Sequence, residues 1–185
     1  MKKINKIALV GTKVAEICHW VALGIMAATT LCALIVPQYI KYFAEFEICN
    51  ECGVLLDTYG FVVKAEVVNG NVDMLTFGLY GIGTVIIFGI MAMIFNRLHL
   101  IIDKSNGSTP FQEVNVKNFK LVGYLAIAIP AVSLLMSIII RLVIGSEAAE
   151  LSSGLDGIII GLTVLCFTEY IAHGVKIEED VEGLV

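Results

Sequence analysis

Long apolar runs alternate along this chain with shorter segments that carry the charge, and their length predicts helices rather than strands. Three runs, Val14 to Pro37, Met74 to Phe95 and Leu121 to Ile144, are long enough to cross a bilayer, whose hydrocarbon core takes about 20 helical residues. A fourth, Leu151 to Ala172, is weaker because Asp156 and Glu169 lie near its ends. It still reads as a span, since Gly157 to Phe167 would otherwise lack an apolar environment. The predicted fold class is an all-α membrane protein, an antiparallel four-helix transmembrane bundle forming a single domain over residues 1–185. A 36-residue outer segment, Gln38 to Asp73, separates the first two helices, a loop over 96–120 separates the second and third, and a tail covers 173–185.

Composition agrees with this pattern: 58% of residues are hydrophobic, far above an ordinary soluble domain. The net charge of -5 comes mostly from acids in the outer segment and the tail, so direct nucleic-acid binding is not expected. Basic residues fix the orientation because they favour the cytoplasm during insertion. Lys2, Lys3, Lys6 and Lys13 precede the first run, Arg97, Lys104, Lys117 and Lys120 lie in the second loop, and Lys176 lies in the tail. Lys41, Lys64 and Arg141 fall on the opposite side. Both ends are therefore predicted to be cytoplasmic, in a multi-pass protein of the cell membrane. The first run reads as a retained anchor, since it exceeds a signal peptide's apolar region and lacks small residues at a cleavage position.

The polar segments carry local signals. Phe61 to Val68 followed by Asn69-Gly70 resembles a strand entering a tight turn, and Tyr39, Tyr42 and Phe43 suit the membrane interface. Asp103 to Ser108 is a turn cluster. Thr109 then reads as an N-cap, Pro110 as a first helical residue and Gln112 as the far side of a capping box, which predicts a short amphipathic helix before the third span. Pro130 is expected to kink that span. Gly78, Gly81 and Gly89 share one face of the second span, and Gly154, Gly157 and Gly161 share one of the fourth. Such faces serve close packing within one bundle, or a homo-oligomer contact through Gly157 and Gly161.

Ionisable residues near a bilayer need partners. Arg141 and Asp156 lie at matching depth near one face, and Glu16, His19, Arg97, Glu169 and His173 lie near the other. The second group reads either as a charge network, with Arg97 satisfying the carboxylates, or as metal ligands. Its Glu-His spacings place each pair on one helix face, but a di-iron site would need more glutamates. No metal or cofactor is expected. Cys49 and Cys52 form a Cys-x-x-Cys pair in the outer segment, open to a local disulfide, free thiols or redox catalysis. Four-span quinone-coupled disulfide-forming enzymes also carry an external Cys-x-x-Cys, but their second external cysteine pair has no counterpart here. Nucleophile-base arrangements, phosphate-binding glycine loops and zinc-protease motifs do not occur.

Ile90 to Lys104, Ser108-Thr-Pro-Phe111, Val114 to Lys120 and Tyr170 to Asp180 resemble the bacterial membrane family labelled domain of unknown function 2975. The resemblance implies four spans, a turn with a Pro-Phe pair and basic helix before the third, and an acidic tail. It also implies partnership with a small helix-turn-helix regulator, with no established activity. The Cys49 and Cys52 pair and the ending Glu182-Gly-Leu-Val185 depart from that pattern. The leading expectation is a non-enzymatic sensor or regulator that meets a cytoplasmic partner through Lys117, Lys120, Glu178, Glu179 and Asp180. The alternatives are a thiol oxidoreductase using Cys49 and Cys52, and a small transporter or ion pathway.

Overall fold

The computed structural model describes residues 3–35, 54–68, 71–105, 112–151 and 155–182. Four long apolar helices dominate it: α1 (Lys3–Ile35), α2 (Met74–Lys104), α3 (Glu113–Val143) and α4 (Leu155–Glu182). All four are long and apolar enough to cross a membrane. Each follows an apolar run and extends past its charged flank, because Lys, Glu, Asn and Gln propagate a helix as well as most apolar residues do. The stretch before the third run is therefore continuous with α3 rather than a separate short helix. Thr109 and Pro110 lie outside the described residues, and the Gln112 carbonyl accepts the amides of Asn115 and Val116 at the helix start. Pro130 sits inside α3, which continues through it.

Between α1 and α2 the described residues form four strands: β1 (Val54–Thr58), β2 (Phe61–Ala65), β3 (Val67–Val68) and β4 (Asn71–Val72). They form two antiparallel hairpins, β1 with β2 and β3 with β4. The single strand read from Phe61 to Val68 is thus two strands broken at Glu66, and β1 is an element that the sequence pattern did not announce. The first hairpin turns at Tyr59 and Gly60, both with positive φ (52° and 79°), and Gly60 N donates to Asp57 Oδ1 at 3.1 Å. Paired positive φ values suit the right-handed twist of a two-residue hairpin. Gly60 adopts its value without penalty, whereas Tyr59 carries strain. Asp73 then caps α2 by accepting Thr76 N at 2.8 Å through its carboxylate.

The chain divides into two compact units. The first combines Met1–His19, Ile90–Ala128 and Leu155–Val185. There α1 and α2 run antiparallel, with Thr12 beside His99, Glu16 beside Asn96 and His19 beside Phe95. In the same unit α3 and α4 run antiparallel, because Lys120 meets Glu169, Gly123 meets Leu165 and Ile127 meets Gly161. The second unit combines Trp20–Gly89 and Ile129–Gly154 and holds the hairpins. Leu23 of α1 packs beside Gly89, Thr30 beside Gly81 and Leu34 beside Gly78. The glycine face predicted on the second span is therefore the face that receives α1. A Cβ at Gly81 would overlap the Thr30 side chain.

Candidate functional site

The first hairpin is built into the second unit rather than lying over it. Alternation along β2 directs Phe61, Val63 and Ala65 to one face, all at most 1% exposed, while Lys64 stays exposed. The register places Thr58, Leu56 and Val54 opposite those three residues, so the hairpin has one face committed to the core. Phe61 stacks on Tyr80 of α2 with ring centroids 5.4 Å apart and planes at 16°. Gly83 gives the ring its room, since a Cβ there would lie 2.6 Å from Phe61 Cε1 and 3.3 Å from Met136 Cγ of α3.

Polar atoms at the hairpin tip are satisfied by the helices. Thr58 Oγ1 and Tyr80 OH share a hydrogen bond, and Ser133 Oγ of α3 donates to Gly60 O at 3.4 Å. Thr84 and Ser133 are both almost fully buried. Tyr59 meets Phe88 edge-on at 6.4 Å, and burial raises its phenol above the ordinary pKa of 10.0. The tip thus reaches Thr84 and Phe88, three to four turns into α2 by sequence.

The outer edge of β2 is covered in turn. Lys64 N donates to Ala148 O at 2.8 Å, Glu150 N donates to Val62 O at 3.1 Å, and Val63 bridges Ala149. Gly145, at φ 148°, lets the chain leave α3 and return along the hairpin. The result is a cleft of about 310 Å³ lined by Lys64, Arg141, Ser146, Glu147, Ala149, Glu150 and Leu151. Lys64 pairs with Glu150 at 3.5 Å. Arg141 is half-buried and donates from Nη1 to Ala149 O at 3.4 Å. Glu147 is exposed. Arg141 and Asp156, singled out together by sequence spacing, belong to different units; within its own unit Arg141 shares the cleft with Lys64, Glu147 and Glu150.

The charges at the other end of the helices fall in the first unit. Glu16 is only 7% exposed, receives Asn96 Nδ2 at 3.0 Å and pairs with Lys13 at 2.9 Å. His19 Nδ1 lies 2.7 Å from Ala15 O, and its ring tilts against Phe95 at 5.1 Å. His99 Nδ1 lies 3.2 Å from Leu9 O. Glu169 pairs with Lys120 at 3.2 Å, and His173 is exposed. Among the described residues Arg97 is half-buried and makes no ion pair, so the partners of these carboxylates are Lys13, Asn96 and Lys120 instead. No group of three or more His, Cys, Asp or Glu is arranged to hold a metal among the described residues.

Lys117 pairs with Glu113 one turn earlier on α3 at 3.5 Å. Asp180 is exposed on α4, Glu178 is half-buried and engaged, and the side chain of Glu179 lies outside the described residues. Gly161 faces Gly123 and Ile127 of the same chain, where a Cβ would lie 2.8 Å from Gly123 O. Cys49 and Cys52 lie outside the described residues. Sequence reading overlooked Asn96, Tyr80, Ser133 and Glu150. Asn96 was open to detection, being a lone amide that directly follows the apolar run Ile90 to Phe95. No protein family, curated protein or solved structure matches the chain.

Proposed function

We propose that the chain is a multi-pass cell-membrane protein with both ends in the cytoplasm, acting as a non-enzymatic sensor or regulator. The membrane reading rests on exposure. In the most apolar stretch of each long helix only 11% to 33% of residues are buried, and the exposed remainder includes Ile35, Leu142 and Ile159 at 77%, 82% and 61%. Surfaces of that size call for lipid, another protein or both. The basic flanks of α1 and α2 favour the orientation with the hairpins outside.

The observation that carries the sensor reading is the burial of Phe61, beside the hairpin turn, against α2 and α3. An outer segment that only capped the helices could change without disturbing them, but Phe61 cannot shift without disturbing Tyr80, Gly83 and Met136. Occupation of the outer surface is thereby linked to the packing of α2 on α3. At the cytoplasmic side the helices continue past the apolar runs and present Lys117, Lys120, Glu169 and Asp180 on ordered turns. These surfaces suit a charged partner, which the resemblance to the four-span bacterial family suggests is a helix-turn-helix regulator.

The test is co-purification of a helix-turn-helix protein encoded beside this one with the tagged full chain in mild detergent. Retention that is lost on deleting Lys176–Val185, and weakened by Phe61→Ala, supports the reading. Absence of that protein from the complex, or retention indifferent to both changes, refutes it.

A further inference from the structure

The cleft between β2 and the segment after α3 balances two cations, Lys64 and Arg141, against two carboxylates, Glu147 and Glu150. Lys64 and Glu150 are engaged with one another. Arg141 is left with a single carbonyl contact at 3.4 Å among the described residues, although a guanidinium carries five N–H donors. A half-buried guanidinium so weakly satisfied is suited to a bidentate oxyanion. Glu147, on the same wall and with no ion pair among the described residues, is suited to an ammonium group. Leu151 in the lining is 48% exposed, and Leu142 and Val143, which follow Arg141 at the end of α3, are 82% and 55% exposed.

We propose that this cleft binds a zwitterionic phosphate-ammonium headgroup of the phosphoethanolamine type, carried by a membrane lipid. The phosphate is held by Arg141 with Lys64, the ammonium by Glu147 with Glu150, and the acyl chains lie along Leu142, Val143 and Leu151. The volume of about 310 Å³ suits a small headgroup. The headgroup would then sit against the strand that carries Phe61, which gives the sensor reading a ligand class. The lipid source rests on the membrane reading above, whereas the headgroup chemistry does not.

The test uses the purified full chain in detergent micelles, titrated with short-chain phosphatidylethanolamine, short-chain phosphatidylglycerol and water-soluble glycerophosphoethanolamine. Phosphatidylethanolamine should bind tightest. Arg141→Gln should weaken it about tenfold, the loss expected from one charge-assisted contact. Glu147→Gln should abolish the preference over phosphatidylglycerol, and Lys6→Gln, outside the cleft, should change nothing. Glu147 is exposed, so its variant carries the test if Arg141→Gln fails to fold. Equal binding of the two lipids by the parent chain, or unchanged binding in both cleft variants, overturns the proposal. Glycerophosphoethanolamine binding as tightly as the lipid overturns the lipid source and leaves the headgroup site. Recovery of the chain in the soluble fraction without detergent would defeat the membrane reading, a failure distinct from either binding result.

Discussion

Phe61→Ala removes the ring that wedges the first hairpin between α2 and α3. The residue is fully buried and stacks on Tyr80 at 5.4 Å, so truncation loses that contact and leaves a cavity behind. Buried Phe-to-Ala changes cost about 3–5 kcal/mol. Gly83→Ala attacks the same joint from the other side. Its Cβ would stand 2.6 Å from Phe61 Cε1, an overpacking worth about 1–3 kcal/mol. The double variant should lose less than the sum of the two, because the methyl added at position 83 enters space that the missing ring has vacated, a coupling of about 1–3 kcal/mol. Denaturation in mixed micelles, followed by circular dichroism, measures the three stabilities, and trypsin cleavage after Lys64 reports undocking. Additive losses, or a Phe61→Ala chain as stable and resistant as the parent, would refute the wedge.

Three further outcomes follow from the geometry. Glu16→Ala should cost about 1–3 kcal/mol by stranding Asn96, whereas Glu16→Gln should cost less, and a cycle with Asn96→Ala should be non-additive; micelle denaturation checks each. Gly161→Ala should destabilise by about 1–3 kcal/mol, since its methyl meets Ile127 and Gly123 O, while Gly24→Ala, with nothing within 4 Å, should stabilise by about 0.5–1 kcal/mol through helix propensity. Because burial raises the Tyr59 pKa above 10.0, ionisation favours the undocked hairpin. Stability is therefore intact below about pH 10 and falls as pH rises from there through the folded value, and the melting temperature of Tyr59→Phe should decline less steeply across that window.

The four helices were legible because length of apolar run is a one-dimensional property. Their ends were less so: the apolar run Leu121 to Ile144 marks what is apolar, while α3 begins at Glu113 because nothing in Glu113 to Lys120 breaks a helix. The hairpin was half legible. Phe61 to Ala65 alternates visibly, but Val54-Leu-Leu-Asp-Thr58 reads as a short apolar patch until its pairing partner is known. The Tyr59-Gly60 turn was its available signal, weakened because a tyrosine at positive φ is an unusual choice. The cleft was illegible for a different reason. Lys64 and Glu150 are neighbours only because β2 pairs with the segment after α3, a long-range register that no local pattern encodes. The charge partners near the opposite ends show the same limit, since Glu16 finds Asn96 across a helix pair while the more conspicuous Arg97 does not join it.

Synthesis runs from the N-terminus, which gives the hairpin an unusual maturation schedule. Residues 54–65 leave the ribosome well before Ser133 and Met136 exist, yet those α3 residues form one wall of the slot that holds Gly60 and Phe61. The covering strand segment at Ala148 to Glu150 arrives later still. The slot therefore has its α2 wall, Tyr80 and Gly83, well before its α3 wall. A nascent chain that ends before Ser133 can thus pack Phe61 only against Tyr80 and Gly83, and full enclosure of the ring waits for α3.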